Sequence, residues 1–289
     1  MKVAGFTFIR NAIQFDYPIV EAIRSILPLC DYMVVSVGKS EDDTLQLIQK
    51  IGSPKIKIIE SVWDDTLREG GAVLAIETDK AFDAIPPDAD WCIYIQGDEC
   101  LHEQFIPTVK AAMERWQNDP YTQGLLFNYQ HFYGSFDYLA TSRTWYQKEI
   151  RIIKNDKAIR SYKDAQGFRR EGKKLNVRAI DADIYHYGWV KHPQAQQRKQ
   201  LNMNRYWYSD QQVKELIPDV AAFDYGQIDD LILFKGTHPA VMQLRIKALN
   251  WKFSFDPTQR RLSLKERFSR WIEKWFGRRI GEYQNYKKI

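Results

Sequence analysis

The chain has 289 residues, of which 44% are hydrophobic, 27% charged and 14% aromatic. That is the composition of a globular protein long enough to bury one large α/β core or two smaller ones. The net charge of +5 is unevenly spread: residues 260–289 hold ten Lys and Arg against three Glu, while the rest hold 32 basic and 34 acidic residues. A near-neutral body with a basic tail argues against a nucleic-acid-binding surface. The three cysteines, Cys30, Cys92 and Cys100, contain no CxxC pair, which argues against a disulfide framework or a Cys-rich zinc site. No run reaches the roughly 18 apolar residues of a membrane span, and the start MKVAGFTFIRNA lacks a signal-peptide core. A cytoplasmic protein is therefore expected.

In chain order, VAGFTFI (3–9) predicts a first strand. Asp16 and Pro18 then open a helix whose apolar residues Ile19, Val20, Ile23, Ile26 and Leu27 share one face, with Pro28 ending it. YMVVSVG (32–38) predicts a second strand, Ser40 suits an N-cap for a helix through Leu45, Ile48 and Ile51, and KIKIIESVW (55–63) predicts a third strand. Residues 70–84 read as a helix, WCIYIQ (91–96) as a fourth strand, and 107–117 as another helix. Nearly continuous apolar strands separated by helices predict an open parallel sheet covered on both faces. Beyond residue 120 the reading changes: 125–134, 149–155 and 177–190 predict further strands, the first two antiparallel. Pro193 to Ser209 then reads as a helix with a solvated Gln/Arg/Lys-rich surface. Residues 263–276 form a basic amphipathic segment with Leu264, Phe268, Trp271, Ile272, Trp275 and Phe276 on one face.

In such sheets ligands bind at the carboxyl ends of strands. Four ends carry polar groups here: Arg10-Asn11, Gly38 to Asp43, Trp63-Asp64, and Gly97 to Glu99. Asp98 and Glu99 follow the fourth strand directly. Hard divalent cations take such oxygen donors and keep positions for substrate phosphates, so Mn²⁺ or Mg²⁺ is the expected cofactor. Cys100, His102 and Glu103 match no closed zinc spacing. The chain has no G-x-x-x-x-G-K-[ST] loop, no G-x-G-x-x-G after its first strand and no G-x-S-x-G elbow.

The order FIRNA (8–12), VVSVGKSEDDT (34–44), KIKIIESVW (55–63), DWCIYIQGDE (90–99) resembles glycosyltransferase family 2, with YHYGWV (185–190) resembling it more loosely. The resemblance implies the GT-A fold: a Rossmann-like, open, mostly parallel sheet with helices on both faces, extended by antiparallel strands and a C-terminal amphipathic helix. It implies a bacterial enzyme with a glycosyltransferase domain at 1–240, split into a nucleotide-sugar-binding half (1–105) and an acceptor-side half (106–240), with 241–289 as a helical extension. The implied reaction is inverting transfer of a sugar from a nucleotide-diphosphate donor to a glycan or lipid-linked acceptor, as in polysaccharide biosynthesis at the cell envelope.

By position, the resemblance makes Asp98 the metal- and diphosphate-binding aspartate, Glu99 its acidic neighbour and His186 the third member of the metal site. Asp42 and Asp43 fall near base and ribose, and Arg10 and Asn11 where the first strand meets the nucleotide. The sequence departs from the family where Val37 or Gly38 stands in place of an acidic residue that contacts the base.

Deprotonating the acceptor hydroxyl needs a general base. Asp164, in the polar loop SYKDAQGFRR, is the leading candidate, with Asp181, Asp183 and Glu149 as alternatives. Lys80 or the Gly70-Gly71 backbone is a further candidate for the donor, and Trp189 and Tyr187 for stacking on the acceptor. The basic tail, 260–289, suits packing on the body, a peripheral contact with anionic lipid at the inner face of the cytoplasmic membrane, or a subunit contact. Two alternatives remain: a nucleotidyltransferase-like enzyme, disfavoured because FTFIRNAIQ has no Gly-rich basic loop, and a non-catalytic nucleotide-sugar- or carbohydrate-binding protein.

Overall fold

In the computed structural model, which describes residues 1–228, 230–256, 275 and 283–289, the run Val3–Ile9 forms strand β1 and is buried along almost its whole length. It lies between two parallel neighbours, β2 (Tyr32–Gly38) and β4 (Trp91–Tyr94). The chain reaches β2 through α1 (Ile19–Ile26), whose Ile19, Ala22, Ile23 and Ile26 turn inward, and Pro28 closes that helix in a 3₁₀ turn. After β2 come α2 (Thr44–Gln49), β3 (Ile56–Ser61, parallel to β2) and α3 (Ala72–Asp83). Past β4, a tight turn at Gly97-Asp98 leads into the short β5 (Glu99–Leu101), then α4 (Ile106–Trp116).

The second half supplies β6 (Gly124–Tyr133), β7 (Tyr138–Ala140), β8 (Lys148–Lys154), β9 (Ile159–Tyr162), β10 (Gly167–Arg170), β11 (Lys173–Lys174) and the 14-residue β12 (Asn176–Trp189). Helices α5 (Pro193–Asn204) and α6 (Asp210–Leu216), strand β13 (Leu231–Leu233), helix α7 (Gln243–Lys247) and strand β14 (Lys287–Lys288) follow.

The expectation of a GT-A fold built on an open, mostly parallel sheet is corrected here. A single 11-stranded mixed sheet runs β13-β7-β6-β8-β4-β1-β2-β3, with β12 bound to β6, β5 and β14. Its parallel pairs, β1–β2, β2–β3, β1–β4, β6–β12 and β12–β14, are matched in number by the antiparallel pairs β4–β8, β6–β8, β6–β7, β7–β13 and β5–β12. Two register shifts in the β6–β12 ladder, between Ala179 and Asp183 and between His186 and Trp189, bend β12. Bulges of this kind raise local twist, and the sheet curls toward a half-barrel.

The helical cover is uneven as well. Helices α1, α2 and α4 bury one face of the sheet with Ile23, Ile48, Val109 and Met113. The opposite face meets α3 through Val73, Leu74, Ala81 and Phe82, together with the small β11-β10-β9 sheet. The antiparallel reading of 125–134 and 149–155 holds: β8 pairs antiparallel with both β6 and β4, and it carries the buried Arg151 at its centre. All three cysteines are buried free thiols, and burial pushes Cys30 and Cys92 up to about 12, so both stay protonated. Among the described residues, no helix is long and apolar enough to cross a membrane. The amphipathic segment 263–276 lies outside the described residues except for Trp275.

Candidate functional site

A cavity of about 560 Å³ lies at the carboxyl ends of β1, β3 and β4. Arg10 follows β1, Trp63 follows β3, and Gln96, Gly97 and Asp98 follow β4, so three of the four polar strand ends singled out from the sequence converge there. The second half of the chain closes the cavity with His131 of β6, Trp145 and Tyr146 ahead of β8, Asp164 from the β9–β10 turn, His186 and Trp189 of β12, and Lys199 of α5.

Asp98 is only 8% exposed. Its Oδ2 accepts a hydrogen bond from Lys199 Nζ at 2.9 Å, and its Oδ1 lies 3.8 Å from His186 Nε2. Burial alone would raise this carboxyl, but the Lys199 ammonium, with Lys191 beyond it, outweighs burial and holds Asp98 well below the ordinary carboxylate range. Lys191 is fully buried, donates to the Asp16 carbonyl, and is pushed down by burial to about 7.

The two histidines form a defined chain. Burial depresses His131 to about 3 and His186 to about 4, so both rings are neutral at pH 7. The Tyr146 carbonyl can only accept, so His131 Nε2, 2.7 Å away, carries the ring proton. His131 Nδ1 then accepts from His186 Nδ1–H at 3.1 Å, which leaves a lone pair on His186 Nε2.

Glu99 is the acidic neighbour, and its carboxylate is fully engaged elsewhere. Arg151 Nε and Nη2 bind Oε2 and Oε1 at 2.9 and 2.8 Å, the Tyr129 hydroxyl donates to Oε1 at 2.7 Å, and the Gln96 amide donates to Oε2 at 3.1 Å. Both members of the ion pair are 0% exposed. Arg151 Nη1 also donates to the Gln166 carbonyl, and Gln96 Nε2 to the Ala165 carbonyl. These two bonds grip the turn that carries Asp164. Lys163 and Ala165, on either side of Asp164, both have positive φ, at 55° and 61°. Non-glycine residues in that region store strain that the surroundings must hold. Burial raises Asp164 above its ordinary value, against hydrogen bonds from the Asp164 and Gln166 backbone.

The remaining sequence candidates, Trp189 excepted, fall outside the cavity. Asp42 ties the loop after β1 to the start of α2 by accepting from the amides of Gln14 and Thr44 and from the Thr44 hydroxyl. Asn11 receives the Glu41 amide through Oδ1 and also has positive φ, and Asp43 is an exposed residue at the start of α2. Lys80 pairs with buried Glu77 on α3. The nearby Gly71 has a role of another kind: a Cβ there would lie 2.8 Å from Asp164 Cβ, so its lack of a side chain makes room for that turn. Tyr187 is buried against Phe132 and bonded to His238, whereas Trp189 lies on the cavity wall, stacked on Tyr133.

The residues present do not make the divalent-cation site expected of Asp98, Glu99 and His186. Glu99 is consumed by Arg151, and among the described residues no group of three or more His, Cys, Asp and Glu side chains converges. Asp98 Oδ1 and His186 Nε2 remain, and the single negative charge they carry is already balanced by Lys199.

Lys199 was invisible in the sequence. The stretch PQAQQRKQLNMN reads as a solvated helix, yet Gln196, Gln197 and Lys199 on α5 are buried. No apolar periodicity marks that face, and His131 likewise hides within an aromatic strand.

Comparison with known proteins gives the site no family. No protein-family model and no curated protein matches the chain. Among solved structures, S. aureus TarS 1–349 in complex with UDP-GlcNAc is 13% identical, with 75% of this chain and 70% of that chain covered at a TM-score of 0.43. The chain spans 39% of a longer TarS chain. Glucosyl-3-phosphoglycerate synthase from Mycobacterium tuberculosis, in complex with Mn²⁺, UDP and phosphoglyceric acid, is 19% identical over 46% of this chain and 43% of its own, at a TM-score of 0.30. The 4-diphosphocytidyl-2C-methyl-D-erythritol synthase from Anaerococcus prevotii is 9% identical over 66% of this chain and 91% of its own, at 0.38. The resemblance to glycosyltransferase family 2 is thereby corrected: no family model supports it, and the structural likenesses are too loose to carry a family or an activity to this chain.

Proposed function

We propose that this protein binds a nucleotide-linked sugar in the cavity at the ends of β1, β3 and β4 and transfers the sugar to a hydroxyl acceptor. The observation that carries the reading is the meeting, in one cavity, of Asp98 and Lys199 with Asp164 among aromatic rings. About 560 Å³ suits a nucleotide-sized ligand. Trp63, Trp145, Trp189, Tyr206 and Trp207 offer flat apolar faces for a base and a sugar. Arg10, whose guanidinium is paired with Asp65, stands at the edge of the same space as a cationic group.

In this reading the acceptor oxygen attacks the anomeric carbon as its bond to the diphosphate breaks. The bonding pair leaves with the diphosphate, and the hydroxyl proton passes to Asp164. A single displacement of this kind inverts the anomeric centre. The raised Asp164 makes it a stronger base than an exposed aspartate. A glycan or a lipid-linked saccharide is the acceptor class, with Trp189 as a stacking surface.

The test is thermal unfolding of the full chain against a panel of UDP-, GDP-, ADP- and CDP-sugars, followed by a transfer assay. A donor at a hundredfold excess over its Kd is expected to stabilise the fold by about 2.7 kcal/mol. Asp164→Asn is expected to keep that stabilisation and lose transfer by at least about 100-fold. A panel that shifts nothing would overturn the reading, and an Asp164→Asn variant with wild-type turnover would remove Asp164 as base.

A further inference from the structure

Helix α5 brings a lysine into a place where composition argues against one. Lys199 Nζ donates to Asp98 Oδ2 and to the Gly188 carbonyl, both at 2.9 Å, and lies 5.1 Å from the centre of the Tyr17 ring. An ammonium has three N–H donors. Two are given to the protein, and the group lies on the cavity wall, so one donor remains for a ligand. The side chain is 10% exposed. A lysine so withdrawn from water is costly unless its charge is used or paired.

The second ammonium, Lys191 Nζ, lies 4.6 Å from the same Tyr17 ring, and its charge reaches Asp98. No carboxylate stands within salt-bridge distance of Lys191 among the described residues. With Lys191 protonated, one carboxylate and two neighbouring ammonium groups carry the same net charge as one carboxylate with a divalent cation. Asp98 therefore has the geometry of a holder for a lysine.

We propose that Lys199, with Lys191 behind it, takes the electrostatic place of a divalent cation at Asp98, so that the cavity binds the diphosphate of its ligand without metal. The inference rests on the sugar-nucleotide reading. It adds that the phosphate oxygens meet the free N–H of Lys199 and that Asp98 aims the ammonium. A bound diphosphate also favours the charged form of Lys191. Lysine commonly serves phosphates as a compact point charge in this way.

The experiment is calorimetric titration of the full chain with UDP, GDP, ADP and CDP, once in EDTA and once in Mn²⁺. A nucleoside diphosphate is expected to bind in EDTA with an affinity within about threefold of that in Mn²⁺. Lys199→Met is expected to weaken binding in EDTA by at least 30-fold, and Lys199→Arg by far less. Thermal unfolding of each variant checks the fold, and the wild-type EDTA arm stands even where Lys199→Met does not fold. Binding that appears only with Mn²⁺ would overturn this inference and leave the sugar-nucleotide reading standing. Unchanged affinity of a folded Lys199→Met would also overturn it. Nucleoside diphosphates and nucleotide-sugars that fail to bind under both conditions would overturn the reading and the inference together.

Discussion

Replacing Glu99 separates two meanings of an acidic strand end. A metal ligand would leave metal-free stability nearly unchanged when lost. The structure instead places Glu99 at the centre of four hydrogen bonds, two of them to a guanidinium that is 0% exposed. Glu99→Gln removes the counter-charge and leaves Arg151 buried and unbalanced, which costs about 3–5 kcal/mol. Domains of ordinary stability have about 5–15 kcal/mol in all, so the variant should unfold at a midpoint lower by on the order of 10 °C. Denaturant titration of Glu99→Gln, Arg151→Met and the double variant, followed by circular dichroism, measures the loss and the coupling. The double variant is expected to recover a large part of the loss, because a matched apolar replacement leaves no orphaned charge. Running the series with and without Mn²⁺ completes the test. Metal-free stability of Glu99→Gln within about 0.5 kcal/mol of wild type would refute the structural role.

Glu149 should make stability fall as pH rises. Burial lifts its carboxyl to about 7 from 4.5, so between those values the folded state keeps a proton that the unfolded chain has lost, and stability drops through that window. The full penalty, about 3 kcal/mol above pH 7, should vanish in Glu149→Gln. Denaturation at pH 4.5 and pH 8 checks it: parallel pH slopes for the two proteins would refute the assignment. Gly38→Ala should disturb the cavity wall, since the added methyl would run into Trp63 Nε1. It is expected to cost about 1–3 kcal/mol and to weaken nucleotide binding about tenfold. Wild-type stability together with wild-type affinity would take Trp63 out of the wall.

The first hundred residues were readable because their strands and helices punctuate themselves. Gly38 closes β2, Pro28 ends α1, and apolar spacing faces α1 and α4 inward. The carboxyl ends of those strands already named Arg10, Trp63 and Asp98 as neighbours. In the second half the antiparallel pairing of β6 with β8 was readable, but the way β12 joins the sheet, parallel to β6 and antiparallel to β5, was not, because its alternating run gives no sign of its partners. Charges misled most. Glu99 and Asp98 are adjacent in sequence, but the turn at Gly97-Asp98 and the start of β5 give them opposite fates: one faces the cavity, the other a buried arginine. Lys199 lies on a helix without an apolar stripe, and only its partner across the fold explains its burial.

The separation between Asp98 and Lys199 bears on when the cavity can exist at all. They are 101 residues apart in the chain, and Glu99 meets Arg151 across 52. Such distant pairings close late, because the intervening chain must be ordered before the contacts repay it. A growing chain that ends before α5 holds all four polar strand ends yet lacks the ammonium that completes them. The cavity is therefore complete only once a helix that contributes little to the hydrophobic core has docked.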